Sequence, residues 1–517
     1  MYLQNDKLIV VDVREKKSEY CNGHIPCAIN LPINTSVFGQ EFMILPKDDP
    51  ILVVCRSGSR SAKASKILTE HGYKNVYSMK GGMFAWTGER IATCEEGNDC
   101  QRNYLYFPHI ASVASDDDDW ETEIAIINTS AETSLSGIIK SYNEVGKQVG
   151  ELKEIDLKPN GRYETKIGET FSDPELISYL IFTASSDQAY GYLKFYDSSN
   201  ASYRVAIPAP ATVNHDDIII SHIAVSDGWW TGISLVNTTN ESRTLTFTFN
   251  NDPTKVKTLT LAAGAHQAKD LAKFLDGWQL DEIESAVISN AQGIIGLEIF
   301  GNSNQLSGVL LRDTTAQTLS YPHITSDQNW WTGIVAFNAG TSAGTLTIKP
   351  YAEDGSPLAE MEPFEIGAKE RFVRAVSQLD LPAETGWLAI ESTVPISGFE
   401  PFGTSDNLQL AGYTCVGIDG MSGVFPKLDK SGWSGIALVN TSSGKISVTL
   451  NAYRNDGRLV AAKTLPLTGF QKIVDEPKII FDNELDSAIY ITYKATAPVA
   501  AFQLNGDGEM LDALPGR

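Results

Sequence analysis

The sequence has little cysteine, no long hydrophobic run and too few basic side chains to balance its acids. Six cysteines in 517 residues are too few for a scaffold built on disulfides. No stretch approaches the roughly 18 apolar residues that a transmembrane helix needs. The first residues lack a basic flank followed by an apolar core, so they contain no secretory signal. We therefore expect either a cytosolic protein or one whose export signal lay upstream and was removed.

The acidic charge is unevenly distributed along the chain. There are 41 basic and 64 acidic residues, for a net charge of −23, yet the first 100 residues carry 12 of each. The acidic remainder would repel nucleic-acid phosphates and anionic lipid headgroups, which excludes both as favoured partners. At about 150 residues per domain, the length predicts three to four domains. The neutral first hundred residues form the first of them.

The first hundred residues have an α/β pattern. LIVVDV (8–13) and ILVVC (51–55) are short apolar runs typical of strands buried on both faces of a sheet. RSGSRS follows the second run and leads into a helical pattern that ends at Gly72. This order places Cys55 at a strand end, where backbone N–H groups of the following loop can surround its sulfur and lower the thiol pKa. A nucleophilic cysteine is favoured over a buried structural one, because a structural cysteine would not need the flanking Arg56 and Arg60.

Four segments resemble, in order and spacing, the rhodanese (sulfurtransferase) domain over about residues 5–93. They are DVRE (12–15), EYCNGHIPCAINLP (19–32), CRSGSRS (55–61) and GGMFAW (81–86).

The resemblance implies that Cys55 takes a sulfane sulfur from a donor such as thiosulfate. It would hold the sulfur as a persulfide and pass it to a thiol or to cyanide, without a cofactor or a metal. Arg60 would help to hold the anionic donor. The loop has five residues between Cys55 and Ser61, whereas the related phosphatase and arsenate-reductase members look one residue longer, which favours sulfur. The predicted persulfide cradle consists of Arg56, Ser57, Gly58, Ser59, Arg60 and Ser61.

The segment departs from the family pattern in three places. The family has a strand and a helix before the DVR strand, and this sequence starts almost on that strand, which indicates a truncated or trimmed domain. Cys21 and Cys27 replace other small residues, with two alternatives: two small buried side chains, or a disulfide or resolving pair for Cys55. His24 could act as a base, but the motif favours a structural histidine that bonds the backbone.

The remaining four hundred residues repeat themselves. One motif contains an asparagine that recurs as Asn128, Asn237, Asn338 and Asn440, at spacings of 109, 101 and 102 residues. A second motif closes each unit, and alternating runs such as TLTFTFN (244–250) lie between them. The first motif is DWETEIAIINTS (119–130), GWWTGISLVNTT (228–239), NWWTGIVAFNAG (329–340) and GWSGIALVNTSS (432–443); the second is GYLKFYD (191–197), GLEIFGN (296–302), GFEPFGT (398–404) and AAFQLNG (500–506).

Short alternating strands with Gly and Asn turns predict immunoglobulin-like β-sandwiches of about seven strands in each repeat. We expect a string or stack of such domains after the α/β unit. The predicted boundaries are 1–93 for the rhodanese-like domain, 94–102 for a linker, and 103–214, 215–318, 319–420 and 421–517 for the four repeats.

Several repeat residues allow a functional and a structural interpretation, and the structural one is favoured for each. The tryptophan pairs 229/230 and 330/331 suggest sugar stacking or packing between modules. His109, His222 and His323 suggest a metal, but Lys427 occupies the fourth equivalent position and cannot serve as a neutral ligand. Asp116–Asp119 suggest calcium or a solvated turn. Three of the four motif asparagines lie in glycosylation sequons, although a turn-forming role explains all four.

Cys94 and Cys100 flank EEGND at the domain junction, where a disulfide or a free pair is possible. A disulfide there would suit an oxidising compartment. Together with the acidic sandwich array, it favours a periplasmic or extracellular location, with the cytosol as the alternative.

Two functions from different classes follow. The first is a sulfurtransferase carried on an array that presents it or docks it to protein partners or to further copies. The alternative is an extracellular structural or surface-interaction protein, filament- or adhesin-like, whose rhodanese unit is inactive or sensory. The intact CRSGSRS loop favours the enzyme, and the four-fifths of the chain in repeats favour the alternative.

Overall fold

The computed structural model describes residues 8–47, 49–88, 90–92, 103–111 and 120–516. The N-terminal domain is a four-stranded parallel sheet in the order β2-β1-β3-β4, covered by short helices. Its strands are β1 (Ile9–Asp12), β2 (Ile29–Asn30), β3 (Ile51–Val54) and β4 (Val76–Ser78), and its helices are α1 (Ser36–Glu41), α2 (Ser59–Glu70) and α3 (Gly82–Ala85).

The predicted α/β pattern is confirmed. β1 and β3 are the two apolar runs, and their central valines are fully buried, which explains why these runs do not alternate. α2 ends before Gly72, whose φ of +88° is the left-handed conformation expected just past a helix. A search of the described helices finds none of the length and hydrophobicity that a bilayer crossing requires.

The rest of the described chain is almost entirely antiparallel β-sheet in four repeats, which confirms the predicted β-sandwich class. The first repeat contains β5 (Asn103–Phe107), β6 (Trp120–Asn128), β7 (Leu135–Tyr142), β8 (Gln148–Leu157), β9 (Arg162–Lys166), α4 (Ile167–Thr170), β10 (Tyr179–Ala184), β11 (Ala189–Asp197) and β12 (Asn200–Pro208). The second contains β13 (Ile218–Ile220), β14 (Trp230–Asn237), β15 (Arg243–Phe249), β16 (Val256–Leu261), β17 (His266–Asp270), α5 (Leu271–Phe274), β18 (Ala286–Ser289), β19 (Ile294–Gly301) and β20 (Leu306–Leu310).

In the third and fourth repeats the strands follow the same order, but one long strand replaces two shorter ones. The third contains β21 (Ala316–Tyr321), β22 (Trp330–Asn338), β23 (Gly344–Ala352), β24 (Phe364–Ile366), β25 (Arg371–Ala375), β26 (Thr385–Thr404) and β27 (Leu410–Thr414). The fourth contains β28 (Asp419–Phe425), β29 (Trp433–Asn440), β30 (Ile446–Tyr453), β31 (Leu459–Leu467), β32 (Lys472–Asp475), α6 (Pro477–Ile480), β33 (Tyr490–Gly506) and β34 (Leu511–Pro515).

Two sheets make each of the first two sandwiches, β5-β10-β7-β8 with β12-β11-β6-β9, and β13-β18-β15-β16 with β17-β14-β19-β20. In the later repeats the long strands β26 and β33 run through both sheets and join them. The described strands number eight in each early repeat and seven in each later one. The third and fourth repeats begin with β21 and β28, a few residues before the predicted boundaries. The predicted linker, residues 94–102, lies outside the described residues, and the immunoglobulin-like topology stays a prediction.

The four motif asparagines tie the turns of the sandwiches together. All four side chains are fully buried. In the second repeat, Asn237 Nδ2 donates to Glu241 O at 2.7 Å and to Ala262 O at 3.0 Å, while its Oδ1 accepts from Thr239 N at 3.0 Å. Asn338 makes the same contacts without a sequon. The turn-forming interpretation is therefore confirmed.

The repeats close into a ring, so the expectation of a string or stack was wrong. The last strands pack against one another in cyclic order, β12 on β20, β20 on β27, β27 on β34 and β34 on β12. These strands are largely buried, and the contacts merge neighbouring cores, as where Leu193 and Val205 join Leu297 and Leu306. Isolated sandwiches would leave this apolar surface exposed.

A charged or imidazole side chain at the start of each repeat contacts the next repeat. His109 lies 3.5 Å from His266, His222 contacts Arg371, and Lys472 Nζ donates to His323 Nδ1 at 2.9 Å. Burial lowers the pKa of these histidines, to about 4 for His109 and His222 and to about 3 for His266 and His323. These residues form contacts at the joints between neighbouring repeats. The described residues contain no cluster of metal ligands.

The fourth joint closes the ring with ion pairs. Lys427, the residue in the histidine position, binds Glu123 at 2.7 Å and lies 3.3 Å from Glu164 of the first repeat. Buried Asp512 lies 3.7 Å from both Lys194 and Arg204. Buried ion pairs add little to the free energy of folding, because removing the charges from water is costly. We therefore expect these contacts mainly to select one arrangement of the fourth repeat against the first.

The tryptophans of the repeat motif pack at the joints. Trp229 and Trp331 lie against the apolar cluster that joins the second and third repeats. Trp230 packs on the core shared by the first and second repeats, and its indole N–H donates to Tyr203 OH at 3.1 Å. Packing between modules therefore accounts for these side chains.

The N-terminal domain is seated on the first repeat. Ile138 of β7 packs into the core of that domain. Lys140 binds Glu41 at 2.6 Å, and Lys47 lies 3.7 Å from Asp156. A cleft of about 940 Å³ remains between the domain and the first two repeats.

Because the histidines between the repeats are buried, we expect the folding stability of the ring to fall in acid. The unfolded chain protonates them below about pH 6.5, whereas buried His323 resists protonation until about pH 3, so its stabilising contribution is lost as pH falls through this window. Glu400, whose pKa burial raises to about 8, acts in the opposite direction, so the test must be comparative. We expect the stability gap between the native protein and His323→Gln to narrow by roughly 2 kcal/mol between pH 7 and pH 4.5.

Chemical denaturation of both full-length proteins at the two pH values measures this gap. His71→Gln, at an exposed histidine beyond α2, is the matched control, because it makes the same substitution outside the contacts between repeats. A constant gap for His323→Gln would contradict the assignment.

Candidate active site

Cys55 lies where β3 ends and the loop toward α2 begins. Gly58 caps α2 with a φ of +103°, which turns the chain back over the sulfur. A side chain at this φ would be strained, so glycine is the residue that this turn requires. Cys55 is only 1% exposed, so its thiol lies at the base of the loop.

Hydrogen bonds converge on the Cys55 sulfur. Gly58 N donates to Sγ at 3.0 Å, and Ser61 Oγ lies 3.5 Å from it. Ser61 Oγ also lies 3.0 Å from Gly58 O and 2.8 Å from Ser78 Oγ at the end of β4. These contacts fix the serine hydroxyl beside the sulfur.

The loop favours the thiolate form of Cys55. Burial alone raises the pKa of the thiol. Hydrogen bonds from the Ser61 hydroxyl and from the backbone N–H groups of Ser61, Ser57 and Gly58 outweigh this effect, and the pKa is lowered. Of the predicted cradle residues 56–61, Ser57, Gly58 and Ser61 form hydrogen bonds with the sulfur.

The GGMFAW segment supports the loop from behind. Met83 N donates to Cys55 O at 2.8 Å, and Phe84 N donates to Arg56 O at 3.1 Å. A Cβ on Gly82 would overlap the Cys55 carbonyl and lie 2.6 Å from Ser57 N. Glycine at this position therefore allows the two segments to pack.

The two loop arginines are in different environments. Arg60 forms a two-point ion pair with Glu19, with N–O distances of 2.6 and 2.7 Å, and its half-buried guanidinium is held in place. The exposed Arg56 lies over the Phe84 ring, 5.0 Å from its centroid. Arg60 is thus engaged by a carboxylate, and its role in holding a donor stays a prediction. Arg56 is the exposed cation beside the loop.

The DVR segment and His24 are structural. Buried Asp12 binds the Arg14 guanidinium at 2.6 Å, and the same guanidinium donates to Gly23 O at 2.8 Å. The His24 ring stacks on Tyr20 at 3.7 Å, and its Nδ1 lies 3.1 Å from Tyr20 O. These contacts support the structural interpretation of the histidine.

The cysteines fall into two groups. Cys21 and Cys27 are both disulfide-bonded, so the interpretation of two small buried side chains without a disulfide was wrong. Cys55 and Cys415 are free thiols. Burial raises the pKa of Cys415 well above its ordinary value, so this thiol is less ionised than that of Cys55. Cys94, Cys100 and Asp116–Asp119 lie outside the described residues.

Sequence reasoning did not assign Glu19, Ser78 or Gly82 to the site. Glu19 pairs with Arg60 across 41 residues, and Ser78 reaches Ser61 from the neighbouring strand. No local spacing reveals these partners, although Glu19 and Gly82 lie inside the motifs that carry the resemblance.

Known proteins match this domain. The family model of the rhodanese-like domain matches residues 2–89. YtwF of Bacillus subtilis is 38% identical over 85 residues, which cover 16% of this chain and 79% of that protein. A sulfurtransferase of Allochromatium vinosum is 35% identical over 81 residues, 16% of this chain and 73% of that protein. The thiosulfate sulfurtransferase GlpE of Pseudoalteromonas translucida is 37% identical over 87 residues, 16% of this chain and 77% of that protein.

The N-terminal unit is therefore a rhodanese domain. Through it the chain belongs to the rhodanese-like family, with sulfurtransferases among its relatives. These relatives match about a sixth of the chain, so they carry no argument about the ring.

Gly82→Ala tests the packing behind the cradle. The added methyl group must push the Cys55–Ser57 backbone away, which weakens the hydrogen bonds to the sulfur. We expect Cys55 alkylation by iodoacetamide at pH 7 to slow by about tenfold, equivalent to a rise of one unit in the thiol pKa. Gly39→Ala, on α1 with open space around its α-carbon, should leave the rate unchanged. Equal rates for both variants would refute the packing role.

Proposed function

We propose that the protein is a sulfurtransferase that works through a persulfide on Cys55. The Cys55 thiolate attacks the outer sulfur of a donor such as thiosulfate, the donor S–S bond breaks, and sulfite leaves with the electron pair. An acceptor thiolate or cyanide then attacks the terminal sulfur of the persulfide. The Cys–S bond to that sulfur breaks, and Cys55 leaves as a thiolate ready for the next donor.

The convergence of N–H and O–H donors on the Cys55 sulfur is the observation that carries this proposal. The same donors that stabilise a thiolate can stabilise the negative charge of a persulfide. Arg56 at the loop surface and Arg60 beside it supply positive charge for an anionic donor. The short loop of five residues between Cys55 and Ser61 suits a sulfur atom better than a larger oxyanion.

An acceptor larger than cyanide has room beside the site. The cleft between the rhodanese domain and the ring is lined on one side by Glu15, Lys16, Lys17 and Ser18. Glu19, which pairs with Arg60 of the cradle, follows directly in the sequence. We therefore assign this side of the domain to the thiol acceptor.

We further propose a periplasmic or extracellular location. Cys21 and Cys27 are both disulfide-bonded, and disulfides persist mainly in oxidising compartments. The acidic ring is compatible with that setting. Self-association through the ring stays a prediction.

The alternative is a structural surface protein with an inactive rhodanese unit. The large share of the chain that forms the ring favours it. The ordered cradle argues against inactivity, because an unused loop has no reason to lower the pKa of its cysteine.

Intact-protein mass spectrometry after incubation with thiosulfate tests the proposal. We expect one added sulfur on the native protein, removed again by cyanide, and none on Cys55→Ser, because the serine hydroxyl cannot form a persulfide. Cys415→Ser, which replaces the buried free thiol, is the matched control and should still gain the sulfur. No sulfur on the folded native protein would favour the structural alternative, whereas a sulfur gained by Cys55→Ser would refute the assignment of the persulfide to Cys55.

A further inference from the structure

Glu298 is a buried carboxylate without a partner. It lies on β19, is 1% exposed, and its Oε1 has no hydrogen-bond partner in the structure. Among the described residues, no ion pair reaches it, and burial raises its pKa well above the ordinary value. An isolated ionised carboxylate in such a place is costly and calls for a compensating charge or a proton.

The carboxylate borders a cavity of about 130 Å³ at the joint between the second and third repeats. Four hydroxyl residues line the same cavity, Ser221 and Thr314 from the second repeat and Ser397 and Thr414 from the third. Arg312 also lines it; its guanidinium donates to Thr212 O and Oγ1, both at 3.0 Å, and forms no ion pair with Glu298. The cavity therefore combines one carboxylate with neutral oxygen atoms from two repeats.

In the other repeats, the equivalent positions hold side chains that are apolar or have hydrogen-bond partners. Glu298 lies four residues after the strand partner of the motif asparagine, and Leu193, Glu400 and Gln503 lie at the same place in the other repeats. Leu193 is apolar and packs in the core. Glu400 accepts a hydrogen bond of 2.5 Å from Tyr413 OH, and Gln503 Nε2 donates to Asn505 Oδ1 at 3.0 Å. Of these four positions in the described chain, the second repeat alone pairs a partnerless carboxylate with a cavity.

We propose that this cavity binds a monovalent alkali cation, Na⁺ or K⁺, between Glu298 and the hydroxyls of the two repeats. One carboxylate balances one positive charge, whereas a divalent ion would leave an uncompensated charge in a buried site. Hydroxyl and carboxylate oxygens are hard ligands suited to such ions. The bound ion would fasten the second repeat to the third, where the joint is otherwise largely apolar.

Thermal unfolding of the full-length protein at constant ionic strength tests the site. NaCl or KCl replaces tetramethylammonium chloride, whose cation is too bulky for a hydroxyl-lined cavity. We expect the native Tm to rise saturably by about 3 °C with Na⁺ or K⁺. Glu298→Gln should lose this rise, because the neutral amide cannot balance the charge. Glu400→Gln, at the matched position of the third repeat, should keep it.

Three outcomes would overturn the proposal: no difference between cations, a rise with CaCl₂ alone, or a rise retained by Glu298→Gln. The first would mean that Glu298 is simply protonated. Glu298→Leu, which copies the residue of the first repeat, replaces the glutamine variant if that variant fails to fold. As a direct measurement, line broadening of ²³Na resonances by the native protein, reversed by excess K⁺, supports the site, and unchanged lines contradict it.

Discussion

The negative charge of one sulfur atom constrains the whole N-terminal domain. Cys55 is buried, and burial works against a thiolate, so the charge must be stabilised by donors that the backbone itself supplies. That requirement explains why β3 ends at the cysteine, why Gly58 turns the loop back and why α2 starts directly afterwards. It also explains the glycine at position 82, since the segment behind the loop must approach the backbone closely to hold it.

The ring is governed by a different constraint, the burial of one apolar strand from each repeat against its neighbours. Sandwiches that end in such strands cannot stay separate without exposing them. The polar joint contacts then set the register, with imidazoles at three joints and a lysine between two carboxylates at the fourth. Ile138 and Lys140 of the first repeat pack against and bind the rhodanese domain, so the loop around Cys55 has a fixed position relative to the ring.

The sequence was sufficient to predict the loop that surrounds Cys55, the two apolar strands of the domain and the presence of four β-sandwich repeats. Each of these leaves a local signal, in an apolar run, a Gly/Ser loop or a motif that recurs. The ring leaves none, because its contacts join residues as distant as His109 and His266, which are 157 positions apart. The pairing of Arg60 with Glu19 and the isolation of Glu298 were invisible for the same reason. The motif asparagines were assigned correctly because their recurrence at Asn338, without a sequon, separated turn formation from glycosylation.

The claim that the loop holds Cys55 as a stabilised thiolate is tested most directly by the pH dependence of its alkylation. Peptide mapping after brief iodoacetamide treatment gives the apparent pKa of Cys55 in the native protein, with the guanidinium-unfolded protein as the reference. The account predicts a native pKa below the unfolded one, and a value shifted back upward in Ser61→Ala because the hydroxyl beside the sulfur is gone. A native pKa at or above the unfolded value would contradict it, because burial would then outweigh the hydrogen bonds of the loop.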